Sequence, residues 1–116
     1  MIKRKSAMRR EATKGMRNGD GVIVNDHILE NEEMKTRCRL FTRMTIEQGA
    51  SIGYHQHFKE EDIYYILSGV ATVCDNDKTY TVYPGEVVYT GDQDFHSIAN
   101  KGDVPLELID IILTYD

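Results

Sequence analysis

One stretch of the chain carries most of the information about its fold: Gly49-Ala-Ser-Ile-Gly-Tyr-His-Gln-His-Phe-Lys-Glu-Glu-Asp-Ile-Tyr-Tyr-Ile-Leu-Ser-Gly69. His55 and His57 are separated by one residue, so in an extended strand both imidazoles lie on the same face. Asp62 opens the apolar stretch that follows. A turn through residues 58–61 would bring Asp62 back beside the two histidines.

A third histidine, His96, opens another strand-like stretch further along the chain. Three neutral imidazoles and one carboxylate make a site of intermediate hardness, which suits Mn, Fe, Ni, Cu or Zn better than Ca or Mg. Four protein ligands would leave positions open for water or substrate. We therefore predict one divalent transition metal, held by His55, His57, Asp62 and His96. The fourth histidine, His27, is assigned no role.

Outward from this stretch, short segments rich in Val, Ile, Tyr, Thr and Phe alternate with turns rich in Gly, Asn and Asp. Such segments at close spacing predict an all-β sandwich or closed barrel. The predicted strands are 37–46, 63–67, 70–74, 79–83, 86–90, 96–99 and 106–114. Residues 6–16 are predicted to form a short helix capped by Ser6.

Alternation assigns faces to two of these strands. Asp62, Tyr64 and Ile66 share one face of their strand, and Glu61 lies on the other. In the strand 37–46, the apolar residues share the face opposite the arginines Arg37, Arg39 and Arg43. We interpret the arginine face as solvated.

The sequence resembles the two motifs of the cupin family, which together cover residues 49–100. The first motif is Gly, five residues, His-x-His, three or four residues, Glu, six residues, Gly. It is matched by Gly49, His55, His57, Asp62 and Gly69. The second motif is matched by Gly85, preceded by proline as is common in the family, and by His96 and Asn100. This resemblance implies an all-β fold, the jelly-roll barrel also described as a double-stranded β-helix.

The chain departs from the family motifs at a few positions. Gly91 and Gln93 replace a proline and a glycine of the second motif, which changes the shape of a turn. Asp62 stands where the family has glutamate, and it is shorter by one methylene. Glu61 could substitute for it, but strand alternation would aim Glu61 away from the histidines. A site of three histidines without a carboxylate, which some cupins use, is the third alternative.

The resemblance is closest to small single-domain cupins described as oxalate-decarboxylase-like. Such proteins typically form dimers in which an N-terminal strand crosses to the partner. We therefore expect residues 1–35 to be an arm that packs on the barrel or on a partner subunit, and residues 36–116 to form a single barrel domain. A homodimer is expected because pairing with a second subunit would cover an exposed strand edge.

The resemblance and the metal site predict a metalloenzyme acting on a small oxygen-rich molecule such as a dicarboxylate, keto acid or sugar acid. Its chemistry would be of the decarboxylase, dioxygenase or isomerase type. Tyr64 is the one candidate proton donor, with simple packing as the alternative. The outward arginines count against oxalate, since its second carboxylate needs a cation. The alternative function is a non-catalytic module that binds a metal or small molecule as a sensor or store, and an empty barrel is the third.

Composition excludes several other functions. The formal net charge is −5, which argues against a nucleic-acid partner because such partners call for a basic surface. No apolar run approaches the roughly 20 residues that cross a bilayer, so no membrane contact is expected. The basic N-terminus lacks the apolar core of a secretory signal, and a cytoplasmic protein is expected. There Cys38 and Cys74 would be reduced thiols.

Overall fold

The computed structural model describes residues 1–115, and ten β-strands dominate it. The strands are β1 (Arg9–Lys14), β2 (Val22–His27), β3 (Cys38–Ile46), β4 (Ser51–Gln56), β5 (Glu60–Ser68), β6 (Ala71–Asp75), β7 (Lys78–Val82), β8 (Val87–Thr90), β9 (Phe95–Ala99) and β10 (Leu106–Thr114). Three short 3₁₀ turns lie at Lys5–Ala7, Met16–Asn18 and Asn31–Glu33. The prediction of an all-β fold is confirmed. Within residues 1–115, no helix has the length and apolar character of a membrane span.

Two antiparallel sheets make up the barrel. The larger has six strands in the order β1-β2-β3-β10-β5-β8, and the smaller has four in the order β4-β9-β6-β7. β10 lies at the centre of the larger sheet, where it pairs with β3 on one side and β5 on the other. β1 and β2 extend this sheet at one edge. Residues of the N-terminal segment therefore pack on the barrel of their own chain.

The predicted helix over residues 6–16 is wrong. Most of this stretch is strand β1, which pairs with β2 and has a 3₁₀ turn on each side. Its charged side chains find partners across the strands, which a helix would not offer. Arg10 lies opposite Asp26 and donates to it at 2.8 Å. These cross-strand pairs stabilise a strand here and outweigh the weak helical periodicity of the stretch.

Inward-facing side chains change character along the strands. At one end of the barrel they are apolar and fully buried, and they form a continuous core. Its members include Ile23, Met44, Ile46, Ile66, Val73, Ile98, Leu106 and Leu108. At the other end, the same strands turn polar side chains inward. These are Asn25, Thr42, Asp62, Thr90, His96 and Asp110. The candidate functional residues lie at this polar end.

Candidate metal centre

The three predicted histidine ligands meet at one point inside the polar end of the barrel. The His57 Nε2 atom lies 3.1 Å from His55 Nε2 and 2.9 Å from His96 Nε2. The remaining pair, His96 and His55, are 3.1 Å apart at the same atoms. His57 and His96 are buried, and His55 is partly exposed. These histidines form a cluster that could hold a metal ion.

Strand pairing explains how residues from two strands converge. β4 and β9 are antiparallel neighbours, and His55 lies directly opposite His96. The register of this pair shifts between Ile52 and His55, which is the signature of a β-bulge. Simple alternation from the buried Ile52 would turn His55 outward. The bulge resets the alternation, so that His55 faces the interior and Tyr54 faces the solvent.

Each imidazole has a partner for its second ring nitrogen, Nδ1. His55 Nδ1 donates to the carbonyl oxygen of Gly53 at 2.6 Å. His57 Nδ1 donates to a carboxylate oxygen of Glu60 at 2.5 Å. His96 Nδ1 lies 2.8 Å from the hydroxyl of Thr90. Because carbonyl and carboxylate oxygens only accept, His55 and His57 donate from Nδ1, and the neutral form of each ring turns an Nε2 lone pair toward the centre.

Lone pairs that face one another at about 3 Å repel unless a cation lies between them. Two nitrogen ligands bound about 2.1 Å from one ion at right angles lie about 3.0 Å apart. The observed Nε2 separations of 2.9 and 3.1 Å match this spacing. The residues present therefore fit a divalent metal ion, with the three histidines on one side of it.

Asp62 completes the ring of candidate ligands. Its Oδ2 atom lies 3.3 Å from His57 Nε2 and 3.4 Å from His96 Nε2. Its Oδ1 atom is buried and has no hydrogen-bond partner among residues 1–115. Glu61, the alternative carboxylate, points to the opposite face of β5, where the Tyr89 hydroxyl donates to it at 2.6 Å. The placement favours Asp62 over Glu61 as a ligand.

Glu60 and Arg39 support the cluster from outside, and the sequence analysis did not identify Glu60. Arg39 donates to both carboxylate oxygens of Glu60, at 2.8 and 3.0 Å, while Glu60 accepts from His57. A carboxylate that orients a metal-binding histidine raises its basicity and fixes its tautomer. Arg39 is exposed, as the interpretation of a solvated arginine face predicts, but it also lines the cavity over the histidines. Arg43 does pair on the outside, with Glu107.

Asp110 is a second residue that the sequence analysis missed. It lies on β10 directly opposite Tyr64 of β5, and it is 2% exposed. Burial raises its pKa well above the usual range, and the neighbouring Asp62 charge adds to this. Asp110 therefore holds a proton where Asp62 is ionised. One signal was present: in the alternating run Leu106, Leu108, Asp110 and Ile112, an aspartate occupies a core position.

Tyr64 lies against the cluster, as its place on the Asp62 face predicts. Its ring stacks on His96, with centroids 5.2 Å apart and planes 13° apart. The side chain is 2% exposed. Burial raises the pKa of its hydroxyl well above 10, and the charge of Asp62 acts in the same direction. The phenol thus keeps its proton and can only donate or share it.

The histidine pKa values follow from burial and from neighbouring carboxylates. Desolvation lowers the pKa of His96 to about 4, and it also lowers that of His55. Burial acts on His57 as well, but its contacts with Asp62 and Glu60 outweigh it and raise the pKa. At neutral pH, His55 and His96 are therefore unprotonated, the state in which an imidazole binds a metal.

A cavity of about 270 Å³ opens above the cluster. Its wall combines apolar side chains with three of the candidate ligands, His55, His57 and Asp62, and two arginines. The apolar members are Met16, Leu40, Met44, Ile52 and Ile112, and the arginines are Arg17 and Arg39. At about 30 Å³ per water molecule, it has room for a ligand of about nine carbon and oxygen atoms.

A larger surface groove of about 980 Å³ lies elsewhere on the chain, beside the N-terminal residues. Much of its charge is already neutralised, because Arg10 pairs with Asp26 and Arg43 with Glu107. No histidine or cysteine lines it. The smaller cavity is therefore the one where candidate chemistry converges.

Comparison with known proteins identifies the family to which this arrangement of histidines belongs. The cupin domain model matches residues 42–112, which is more than half of the chain. The chain belongs to the cupin family. The match includes the candidate ligands, and it leaves out β1 and β2.

A similar sequence and a similar crystal structure both come from Thermotoga maritima. The oxalate-binding protein of that organism is 38% identical over 113 residues, covering 97% of this chain and 93% of its own length. The crystal structure of a predicted oxalate decarboxylase superposes with a TM-score of 0.92 at 38% identity, covering 98% of this chain and 99% of the other. The polyketide cyclase RemF of Streptomyces resistomycificus superposes with a TM-score of 0.80 at 17% identity, covering 100% of this cupin and 81% of the cyclase. That last likeness reports the fold alone.

Proposed function

We propose that this cupin binds one divalent transition-metal ion through His55, His57, His96 and Asp62, and that it holds a small carboxylate at that ion. One observation carries the proposal: three Nε2 atoms lie 2.9–3.1 Å apart, while their Nδ1 atoms are engaged elsewhere. With Nδ1 engaged, each ring offers its Nε2 atom to a shared centre, which is the arrangement that a metal ion requires. The similar oxalate-binding protein of Thermotoga maritima supports a carboxylate as the ligand.

The metal, when bound, would polarise a carboxylate or carbonyl oxygen of the ligand. The side chains around it do the remaining work. Glu60 and Thr90 hold His57 and His96 in place. Apolar residues such as Ile52 and Leu40 line the cavity beside its polar side chains. The chain thereby orients the metal-binding rings and gives the carbon skeleton of a ligand apolar contacts.

The catalytic form of this proposal is a metalloenzyme acting on a dicarboxylate, keto acid or sugar acid. Tyr64 supports it, since the phenol keeps its proton and lines the cavity beside Asp62. A non-catalytic binding module is the second candidate, and the oxalate binding for which the Thermotoga relative is named favours it. Manganese and iron lead the candidate metals, because the spacing of the histidines suits an ion with six ligands.

Elemental analysis by mass spectrometry tests the metal. We expect close to one equivalent of Mn, Fe, Ni, Cu or Zn in protein purified without chelators, and less than a tenth of that in His55→Ala and His96→Ala. The control is His27→Ala, because His27 is also buried but pairs with Glu11 outside the cluster. A wild-type protein that neither contains nor takes up metal would refute the proposal.

Calorimetric titration with oxalate then tests the ligand. Binding to the metal-loaded protein, absent from the chelator-treated protein, is the expected result. Turnover assays with oxalate and with keto acids separate the enzyme from the binding module. The homodimer also stays a proposal: β1 is an exposed edge strand of the larger sheet, and light scattering would measure the mass in solution.

A further inference from the structure

Arg17 is a charged residue of the cavity that neither the family motifs nor the metal site explains. It lies in the turn from Gly15 to Gly19 (the 15–19 turn) between β1 and β2. This turn falls outside the part of the chain that the cupin domain model matches, residues 42–112. Its side chain nevertheless lines the same cavity as His55, His57 and Asp62.

The 15–19 turn is held against β4 at short range. A Cβ atom on Gly53 would lie 1.9 Å from the Arg17 carbonyl oxygen, and one on Gly19 would lie 2.1 Å from the Ser51 carbonyl oxygen. Only glycine permits this approach. The Ser51 amide also donates to the Asp20 carbonyl at 2.8 Å. The turn thus rests on the bulge of β4 that aims His55 at the centre.

The backbone of the turn is strained at the residue that carries the charge. Arg17 has φ of 52° and Asn18 has φ of 63°, both in the left-handed region that non-glycine residues rarely adopt. Such conformations persist where the surroundings enforce them, often at binding sites. Here they place an arginine at the cavity.

Arg17 has no carboxylate partner among residues 1–115, unlike Arg39, the other arginine of the cavity. Four others are paired, and their partners are Glu30 for Arg9, Asp26 for Arg10, Glu60 for Arg39 and Glu107 for Arg43. Burial is the main cause that lowers the pKa of His55 and of His96, and the Arg17 charge adds to both. Its guanidinium is therefore close to the cluster and available to an anion.

Resting on the proposed function, we infer that Arg17 is the ligand-recognition residue of this cavity and binds a carboxylate that the metal does not neutralise. A guanidinium matches a carboxylate with two parallel hydrogen bonds. The ligand class is then a small dicarboxylate, with one end at the histidine cluster and the other at Arg17. Arg39 is a weaker candidate for this role, because Glu60 already occupies both of its hydrogen bonds.

The test uses Arg17→Asn, which removes the charge while keeping a residue that tolerates a left-handed backbone. Arg17→Lys keeps the charge without the planar fork, and Lys14→Gln removes an exposed cation that does not line the cavity. Each protein is loaded with one equivalent of Zn²⁺. Calorimetry then measures the affinity for oxalate, malonate and succinate, and for glycolate, which has one carboxylate and one hydroxyl.

We expect Arg17→Asn to lower the affinity for the tightest-binding dicarboxylate about tenfold or more. The affinity of Arg17→Asn for glycolate should fall at most about twofold. The dicarboxylate affinity of Arg17→Lys should lie between those of Arg17→Asn and the wild type, and that of Lys14→Gln should match the wild type. Zinc content should be equal in all four. Unchanged dicarboxylate affinity in Arg17→Asn, or an equal loss for glycolate, would overturn the inference alone. A zinc-loaded wild type that binds no dicarboxylate would instead refute the proposed ligand, and this inference with it.

Discussion

The two ends of the barrel interior use the same strands for different purposes. At the apolar end, β10 turns Leu106 and Leu108 inward, both 0% exposed. Two residues further along the same face, β10 presents Asp110, which is 2% exposed. β9 makes the same change from Ile98 to His96. Backbone pairing continues through both ends, so only the side chains distinguish the core from the site.

This difference shows how a small barrel carries a site without a second domain. Burying apolar side chains stabilises the fold by about 25 cal/mol per Å² of surface removed from water. Burying carboxylates and imidazoles has the opposite effect unless partners compensate. The apolar end therefore stabilises the fold. The polar end offsets part of that stability, because its buried polar groups need a cation to compensate them.

The largest effect is expected from removing apolar volume. Leu108→Ala should lower the free energy of unfolding by about 2–5 kcal/mol, because Leu108 is fully buried and its cavity would not close. Leu67→Ala is the control, since Leu67 is 37% exposed on the neighbouring β5. Urea denaturation measures both. Metal content per folded molecule should stay at the wild-type value, and a loss of metal would show that the two ends are not separable.

Acid should destabilise the metal-free protein through the polar end. The His96 pKa is lowered from 6.5 to about 4, so between these values the unfolded chain binds more protons than the folded one. The free energy of unfolding should fall as pH drops through this window, by on the order of 3 kcal/mol. His57, whose pKa is raised, offsets part of this loss.

Urea denaturation at pH 7, 6, 5 and 4 on chelator-treated protein checks the acid effect. His96→Gln is the matched variant, and its stability should change less across the same range. Equal slopes for the two proteins would assign the acid sensitivity to other groups.

The next largest effect concerns which carboxylate, Asp62 or Glu61, binds the metal. Asp62→Ala should weaken metal binding about 10–100-fold, because its Oδ2 atom lies beside His57 and His96. Glu61→Ala should change it less than twofold, since Glu61 faces Tyr89 on the outside. Competition titration against a metal indicator measures both affinities. The reverse order would reassign the ligand to Glu61, and two unchanged affinities would indicate three histidines alone.

The smallest effect is expected one contact further out. Glu60→Gln should weaken metal binding about tenfold, because the variant loses the charged acceptor for the His57 Nδ1 proton. The same indicator titration applies. Arg39→Gln is the companion variant: it leaves Glu60 in place and should have a smaller effect. If Arg39→Gln proves as damaging as Glu60→Gln, the ion pair rather than the acceptor orients His57.

Much of this molecule could be predicted from short-range patterns. Alternation placed Asp62, Tyr64 and Ile66 on one buried face, as the structure shows. Strand 106–114 was predicted with the bounds that β10 has. The same reasoning failed for β1, whose strand character depends on pairing with β2 rather than on its own residues. Asp110 was missed although its inward position in an apolar strand was visible.

The sequence by itself determined the all-β class, the family and the residues that could bind a metal, because glycine spacing and two-residue alternation are local properties. Only the tertiary structure decided how these residues meet. The bulge in β4 turns His55 inward, and two glycines let the turn that carries Arg17 rest on that bulge. Both depend on contacts between segments far apart in the chain, which no local pattern encodes.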